Sequence, residues 1–276
     1  MIDLKSVLKE FASKVEQMTP EEAQAELNRL DIETYNETVG DMDKEDGIHC
    51  KTCNNKGWIK VLIDDCVKLR RCECLELRKS YKNARDSGLG EYLNKDQSDY
   101  IVTEKWQEHC AEMMQDFITS HAKDNTWFVA LGQSGCGKTL ICSIISNHLL
   151  FVAKRKVKYL TWTDFISQLK RDMMGEKTNE VSVYLDKIKK VDVLFIDEML
   201  KKYNDTDLRY LIEIINYRYT NDLKTIITSE NVFEKLLEID EATFGRAIEK
   251  CEGFLINIAK DRAKNYRLRG IKRVKQ

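Results

Sequence analysis

Few eight-residue stretches constrain a fold as tightly as the one at residues 132–139, Gly132-Gln133-Ser134-Gly135-Cys136-Gly137-Lys138-Thr139. Its spacing is that of a phosphate-binding loop. The glycines let successive backbone N–H groups curl around phosphate oxygens, the lysine reaches the β- and γ-phosphates, and the threonine hydroxyl holds Mg²⁺. The flanks agree: Trp127-Phe128-Val129-Ala130-Leu131 reads as a buried strand and residues 139–153 as a helix. Such a loop delivers phosphates to the positive end of a helix dipole. A ligand-free glycine turn is the alternative for the octapeptide alone, and the strand-loop-helix setting argues against it.

Further apolar strands at residues 157–161, 193–196, 225–228 and 254–258 alternate with helical segments. Near-continuous apolar strands separated by helices predict an α/β fold with a five-stranded parallel sheet covered on both faces. The strand at 193–196 runs into Asp197-Glu198, and such sheets present ligands at the carboxyl ends of their strands. Asp197 is therefore expected to hold Mg²⁺ together with Thr139, and Glu198 to orient or deprotonate a water attacking ATP. A helix cap is the other reading of two adjacent carboxylates. Thr228-Ser229-Glu230-Asn231 closes the next strand, which brings Ser229 and Glu230 within reach of a γ-phosphate. Arg246 is a candidate arginine finger, better placed to serve the nucleotide of a neighbouring subunit than its own; the alternative is a surface salt bridge.

Upstream of this core the chain changes character. Leu4, Val7, Leu8, Phe11 and Val15 share one helical stripe, and Thr19-Pro20-Glu21-Glu22 reads as the cap of a second helix with Ala23, Leu27 and Leu30 on its apolar face. This helical segment, residues 1–48, is either a self-packed unit or a docking module. Residues 49–95 carry Cys50-x2-Cys53 and Cys72-x-Cys74 around a hairpin sequence, a count of thiolates that suits tetrahedral zinc, with His49 or Cys66 as possible substitutes. Ser87-Gly88-Leu89-Gly90 breaks any helix and marks the linker into an ATPase domain spanning 96–276. The remaining cysteines Cys110, Cys136, Cys142 and Cys251 are read as packing residues.

Charge and composition bound the function. The 45 Lys+Arg nearly cancel 46 Asp+Glu, which excludes bulk polyelectrolyte attraction to nucleic acid. From residue 254 onward, however, Lys260, Arg262, Lys264, Arg267, Arg269, Lys272, Arg273 and Lys275 face one acid, Asp261. Nine cysteines without an export signal argue for reduced thiols. With no apolar run of about 18 residues, the expectation is a cytoplasmic protein without membrane contact.

With these motifs in view, the chain resembles the AAA+ helicase loaders of the DnaC/DnaI type and the related IstB transposition ATPases, especially phage-encoded forms. GQSGCGKT, VLFIDE, TIITSE and DEATFGR follow one another in that family's order, and the four-cysteine segment is similar to that of DnaI-like members. The resemblance implies an ATPase that loads a replicative DNA helicase, self-associates through its ATPase face and contacts single-stranded DNA. It implies that Asp197 and Glu198 form the Walker B pair, that residues 228–230 are the first sensor region, and that Arg246 is the finger acting in trans. The family commonly has asparagine after Thr-Ser, whereas Glu230 stands there and Asn231 follows. After the last strand too few residues remain for a typical helical lid, leaving Arg262 or Arg267 to substitute for a second sensor arginine. An IstB-like transposition helper and a non-catalytic zinc adaptor are the rival readings.

Overall fold

The computed structural model describes residues 18–174 and 178–268. The stripe from Leu4 to Val15, and Arg269, Lys272, Arg273 and Lys275, lie outside the described residues. The chain forms two compact units, Met1–Lys82 and Asn83–Gln276.

In the first unit, helix α1 (Pro20–Glu37) begins where expected. Thr19 N–H donates to Glu22 Oε2 at 2.8 Å and Glu22 N–H to Thr19 Oγ1 at 3.2 Å, a reciprocal capping box. At its other end Lys56 Nζ donates to the carbonyls of Tyr35, Asn36 and Thr38, satisfying the negative end of the helix with a cation from the cysteine segment. None of its residues is buried, and Leu27 is 50% exposed. A short helix α2 (Met42–Asp46) precedes the hairpin of β1 (Trp58–Ile63) and β2 (Cys66–Arg71), antiparallel in register from Trp58↔Arg71 to Ile63↔Cys66. Asp64 and Asp65 turn it with φ of 52° and 58°; two left-handed residues match the twist of the flanking strands. Helix α3 (Cys74–Ser87) then stops at Gly88, whose φ of 83° is open to glycine at little cost.

The second unit alternates helices and strands: α4 (Lys105–His121), β3 (Phe128–Gly132), α5 (Lys138–Phe151), β4 (Val157–Thr161), α6 (Trp162–Met174), α7 (Thr178–Lys190), β5 (Val193–Met199), α8 (Asp205–Thr220), β6 (Lys224–Ser229), α9 (Phe233–Ile239), α10 (Glu241–Glu249) and β7 (Leu255–Ile258). All five strands pair in parallel in the order β4-β5-β6-β3-β7, as the apolar runs predicted. Strand alternation splits the core: Phe128, Ala130 and Phe195 meet α4 and α5 on one face, while Val129, Leu131, Leu194 and Ile196 meet α6, α7 and α8 on the other. Arg218, fully buried, donates to the carbonyls of Lys189, Val191, Asp192 and Lys224 and to Thr225 Oγ1. Every strand points its carboxyl end the same way, and the loops at that edge carry the predicted site.

Candidate nucleotide site and cysteine cluster

The phosphate-loop sequence leaves β3 and enters α5 through backbone that only glycine accommodates. Gly132, Gly135 and Gly137 have φ of 128°, 79° and 92°. A methyl group on Gly132 would lie 2.3 Å from the Ile258 carbonyl oxygen, and one on Gly135 would lie 2.1 Å from Asn265 Oδ1. Lys138 is buried at the first turn of α5, its Nζ donating to the Gln133 carbonyl at 2.7 Å and standing 3.8 Å from Cys136 Sγ. Cys136 in turn donates to the Gln133 carbonyl at 2.9 Å, which tightens the loop.

The adjacent carboxylate is the centre of the arrangement. Asp197 is buried at the end of β5, and its oxygens collect three hydroxyls: Thr139 Oγ1 at 2.9 Å, Tyr159 OH at 3.0 Å, and Thr228 Oγ1. Burial and the Asp197 charge push the Tyr159 phenol well above its ordinary range, so it remains a donor. Between Ile196 and Met199 the β5–β6 register shifts, and Glu198 takes a φ of 55°. The shift leaves one extra residue on β5, re-aiming the side chains as a bulge does. Glu198 N–H donates to Thr228 Oγ1 at 2.9 Å, and its side chain lines a cavity of about 260 Å³ together with residues 134–140 and Thr228, Ser229 and Glu230. The Ser229 hydroxyl itself donates to the Met199 carbonyl at 2.6 Å. Asn231 is directed elsewhere, toward the Leu200 carbonyl at 3.4 Å.

Aromatic residues close the rest of the cavity: Tyr92, Tyr100, Trp106 and Tyr266. The last of these belongs to a segment that follows β7 and folds back over the phosphate loop. Gln133 Nε2 donates to the Asp261 carbonyl at 2.5 Å, Asp261 N–H returns a bond to Gln133 Oε1 at 2.8 Å, and Tyr266 N–H donates to the Gly135 carbonyl at 2.8 Å. Lys264 and Arg267 line the cavity, with Arg267 Nη1 3.4 Å from Ser134 Oγ. Arg262 is not among the lining residues.

The model of the bacterial DnaA ATPase domain family matches residues 97–248, more than half of the chain. The chain belongs to that family. In Bacillus subtilis strain 168, the uncharacterized protein YqaM is 29% identical over 213 residues, covering 72% of this chain and 66% of that protein, just under two thirds of its length. Phage-like element PBSX protein XkdC of the same strain is 28% identical over 242 residues, covering 81% of this chain and 87% of that protein. The crystal structure of the DnaC helicase loader aligns with a TM-score of 0.49 at 20% identity, over 62% of this chain and 99% of that one.

Within this DnaA-family core, one predicted residue stands apart. Arg246, exposed on α10, donates to Asn216 Oδ1 at 2.7 Å, lies 5.8 Å from the Tyr219 ring, and is not among the residues lining the cavity. Other contributors escaped the sequence reading. Tyr159 reaches Asp197 because β4 pairs with β5 so that Thr161 stands opposite Asp197; its signal is strand order, which is not written in any local motif. The segment around Asn265 and Tyr266 lacks a motif altogether.

The cysteine segment lies outside the family match. Cys50, Cys53, Cys72 and Cys74 converge, their sulfurs all within 4.8 Å of one another, with Cys50–Cys72 at 3.8 Å and Cys53–Cys74 at 3.5 Å. A tetrahedron with Zn–S bonds of about 2.3 Å sets its sulfurs about 3.8 Å apart, so the four thiols fit zinc. Asn54 and Asn55 turn the first pair with φ of 47° and 65°, and Gly57 N–H donates to Cys53 Sγ at 3.2 Å. Burial raises the Cys50 thiol, but hydrogen bonds centred on Cys53, with others from Thr52 and Cys72, outweigh it and bring it down to about 6. The two substitutes are elsewhere: Cys66 is exposed at the hairpin tip, and His49 Nδ1 faces Asp43 and Asn55. Arg78 ties this knuckle down, pairing with Asp46 and donating to the Ile48 carbonyl at 2.6 Å. Among the described residues no helix is long and apolar enough to cross a membrane.

Proposed function

We propose that this chain binds and hydrolyses ATP with Mg²⁺ and couples that cycle to loading a replicative DNA helicase. The observation that carries the reading is the Asp197 carboxylate, which gathers Thr139 and Thr228 with Glu198 beside it on the cavity wall. In this reading the backbone N–H groups of residues 132–139 hold phosphate oxygens, and Lys138 transfers its ammonium from the Gln133 carbonyl to the β- and γ-phosphates. Thr139 and Asp197 offer two hard oxygens 2.9 Å apart, which suits Mg²⁺; the ion, when bound, offsets phosphate charge. Glu198 orients the attacking water and accepts its proton, while Glu230 and the Ser229 backbone face the γ-phosphate. Arg246, off its own cavity, completes the site of an adjacent copy, so hydrolysis requires self-association.

Zinc on Cys50, Cys53, Cys72 and Cys74 organises the N-terminal unit, which together with residues 1–48 meets the helicase. The ATPase face meets single-stranded DNA, and the protein works in the cytoplasm of a bacterial or phage-infected cell. The loader reading is supported by the order of the phosphate-loop, Walker B, sensor and finger motifs together with a four-cysteine segment ahead of them.

One set of measurements tests it. Lys138→Ala is expected to abolish ATP-dependent thermal stabilisation, which at a hundredfold excess over Kd amounts to about 2.7 kcal/mol. Glu198→Gln is expected to keep that stabilisation and lower turnover by roughly 10²–10⁴-fold. The wild-type chain is expected to co-purify with the host's replicative helicase in ATP; hydrolysis without any helicase complex would leave the ATPase and remove the loader.

A further inference from the structure

The turn after β5 places a cation on the residue read above as the catalytic carboxylate. Lys201 N–H donates to the Glu198 carbonyl at 3.2 Å, which folds the chain back by three residues. Glu198 and Leu200 both adopt left-handed backbone, φ 55° and 58°, a costly conformation for side-chain-bearing residues that persists only where the surroundings over-determine it. The outcome is an ion pair: Lys201 Nζ lies 2.7 Å from Glu198 Oε1. The hydrogen bond to Glu198 raises the Lys201 ammonium above its ordinary value. The same ammonium stands 3.4 Å from Glu230 Oε1. It therefore bridges two carboxylates that both line the cavity, and stands nearer to Glu198. Lys201 itself is not among the lining residues.

A carboxylate that must take a proton from water needs a free oxygen lone pair directed at that water. With an ammonium at hydrogen-bond distance, Oε1 of Glu198 is engaged, and the carboxylate at the cavity wall is tethered to Lys201. We propose that Lys201 is a positioning residue that restrains Glu198 in a resting ion pair, and that moving the ammonium wholly onto Glu230 releases Glu198 for hydrolysis. The inference rests on the reading of Glu198 as the general base.

Both side chains are about one-third exposed, 37% for Lys201 and 32% for Glu198, so the pair contributes at most about 1 kcal/mol. Releasing it is worth at most about a fivefold change in rate. In the full-length chain, Lys201→Met is expected to raise kcat about two- to fivefold, with KM and nucleotide affinity unchanged. Lys201→Arg, which also donates to a carboxylate, is expected to return kcat to the wild-type level, and Lys202→Met, at an exposed neighbour, to leave it unaltered. Lys201→Gln repeats the neutralisation if methionine disturbs the turn. Loss or constancy of kcat in Lys201→Met and Lys201→Gln, while Glu198→Gln is inactive, would overturn the restraint and leave the ATPase reading standing. Full turnover in Glu198→Gln would overturn the general-base assignment, and the restraint with it.

Discussion

The two units of this chain are held together by different physics. The Asn83–Gln276 unit buries two extensive apolar clusters, one on each face of its parallel sheet. The Met1–Lys82 unit has a cluster of Cys53, Ile59, Cys72 and Cys74, with Cys50 and Val61 partly buried beside it, and its longest described helix buries nothing. The hydrophobic effect scales with apolar area removed from water, so a unit whose described residues bury so few apolar groups is a candidate for another source of cohesion, as small units below about 80 residues commonly are. Four convergent thiols supply a place for one. The contrast teaches that the same chain combines a unit stable by burial with a unit whose cohesion, in the function proposed above, comes from ligation.

Removing the metal is the hardest test of that contrast. A structural zinc couples on the order of 10 kcal/mol to folding, so chelation, or Cys72→Ser, is expected to unfold the cysteine unit and leave the sheet intact. Segment-resolved hydrogen exchange checks this, together with elemental analysis expected to find one zinc per chain; loss of protection in β3, β5 and β6 alongside the hairpin would break the comparison. The converse experiment is a cavity in the sheet. Phe195 is fully buried, 5.0 Å from the Tyr159 ring, and Phe195→Ala is expected to cost about 3–5 kcal/mol in chemical denaturation with no change in zinc content. The smallest effect sharpens the account of the N-terminal helix. Because α1 has no buried residue, it depends on its ends, and Thr19→Ala is expected to cost about 1 kcal/mol, seen as faster exchange confined to the first turn near Glu22. An effect reaching the cysteines would mean that the helix is packed more tightly than its exposure indicates.

The legible parts of the sequence were those whose requirements are local. The phosphate loop could be read because each of its glycines answers a backbone requirement within a few residues, and the strands because parallel strands buried on both faces are apolar throughout. The cysteine pairs could be read because each pair brings its thiols together across a few residues. Which four thiols meet was open between those pairs, His49 and Cys66, and the hairpin register decided it by sending Cys66 to the tip. Glu230 and Asn231 were likewise indistinguishable as polar residues at a strand end, until the turn after β5 drew Asn231 toward the Leu200 carbonyl and left Glu230 on the cavity.

By itself the sequence determined the fold class, the glycine-rich loop between β3 and α5, the place of two carboxylates near the end of β5 and the presence of a thiol cluster, since these follow from spacing and periodicity along a short stretch. Tertiary structure alone decided that Tyr159 and Thr228 converge on Asp197, that Asn265 and Tyr266 cover Gly135, and that Lys201 sits on Glu198. The first two depend on strand order and on chain return over more than a hundred residues, contacts that the burial of both sheet faces brings about and that no local pattern encodes. The third is close in sequence, yet it hangs on the left-handed turn that the β5–β6 bulge imposes, and that bulge exists only once the two strands have paired.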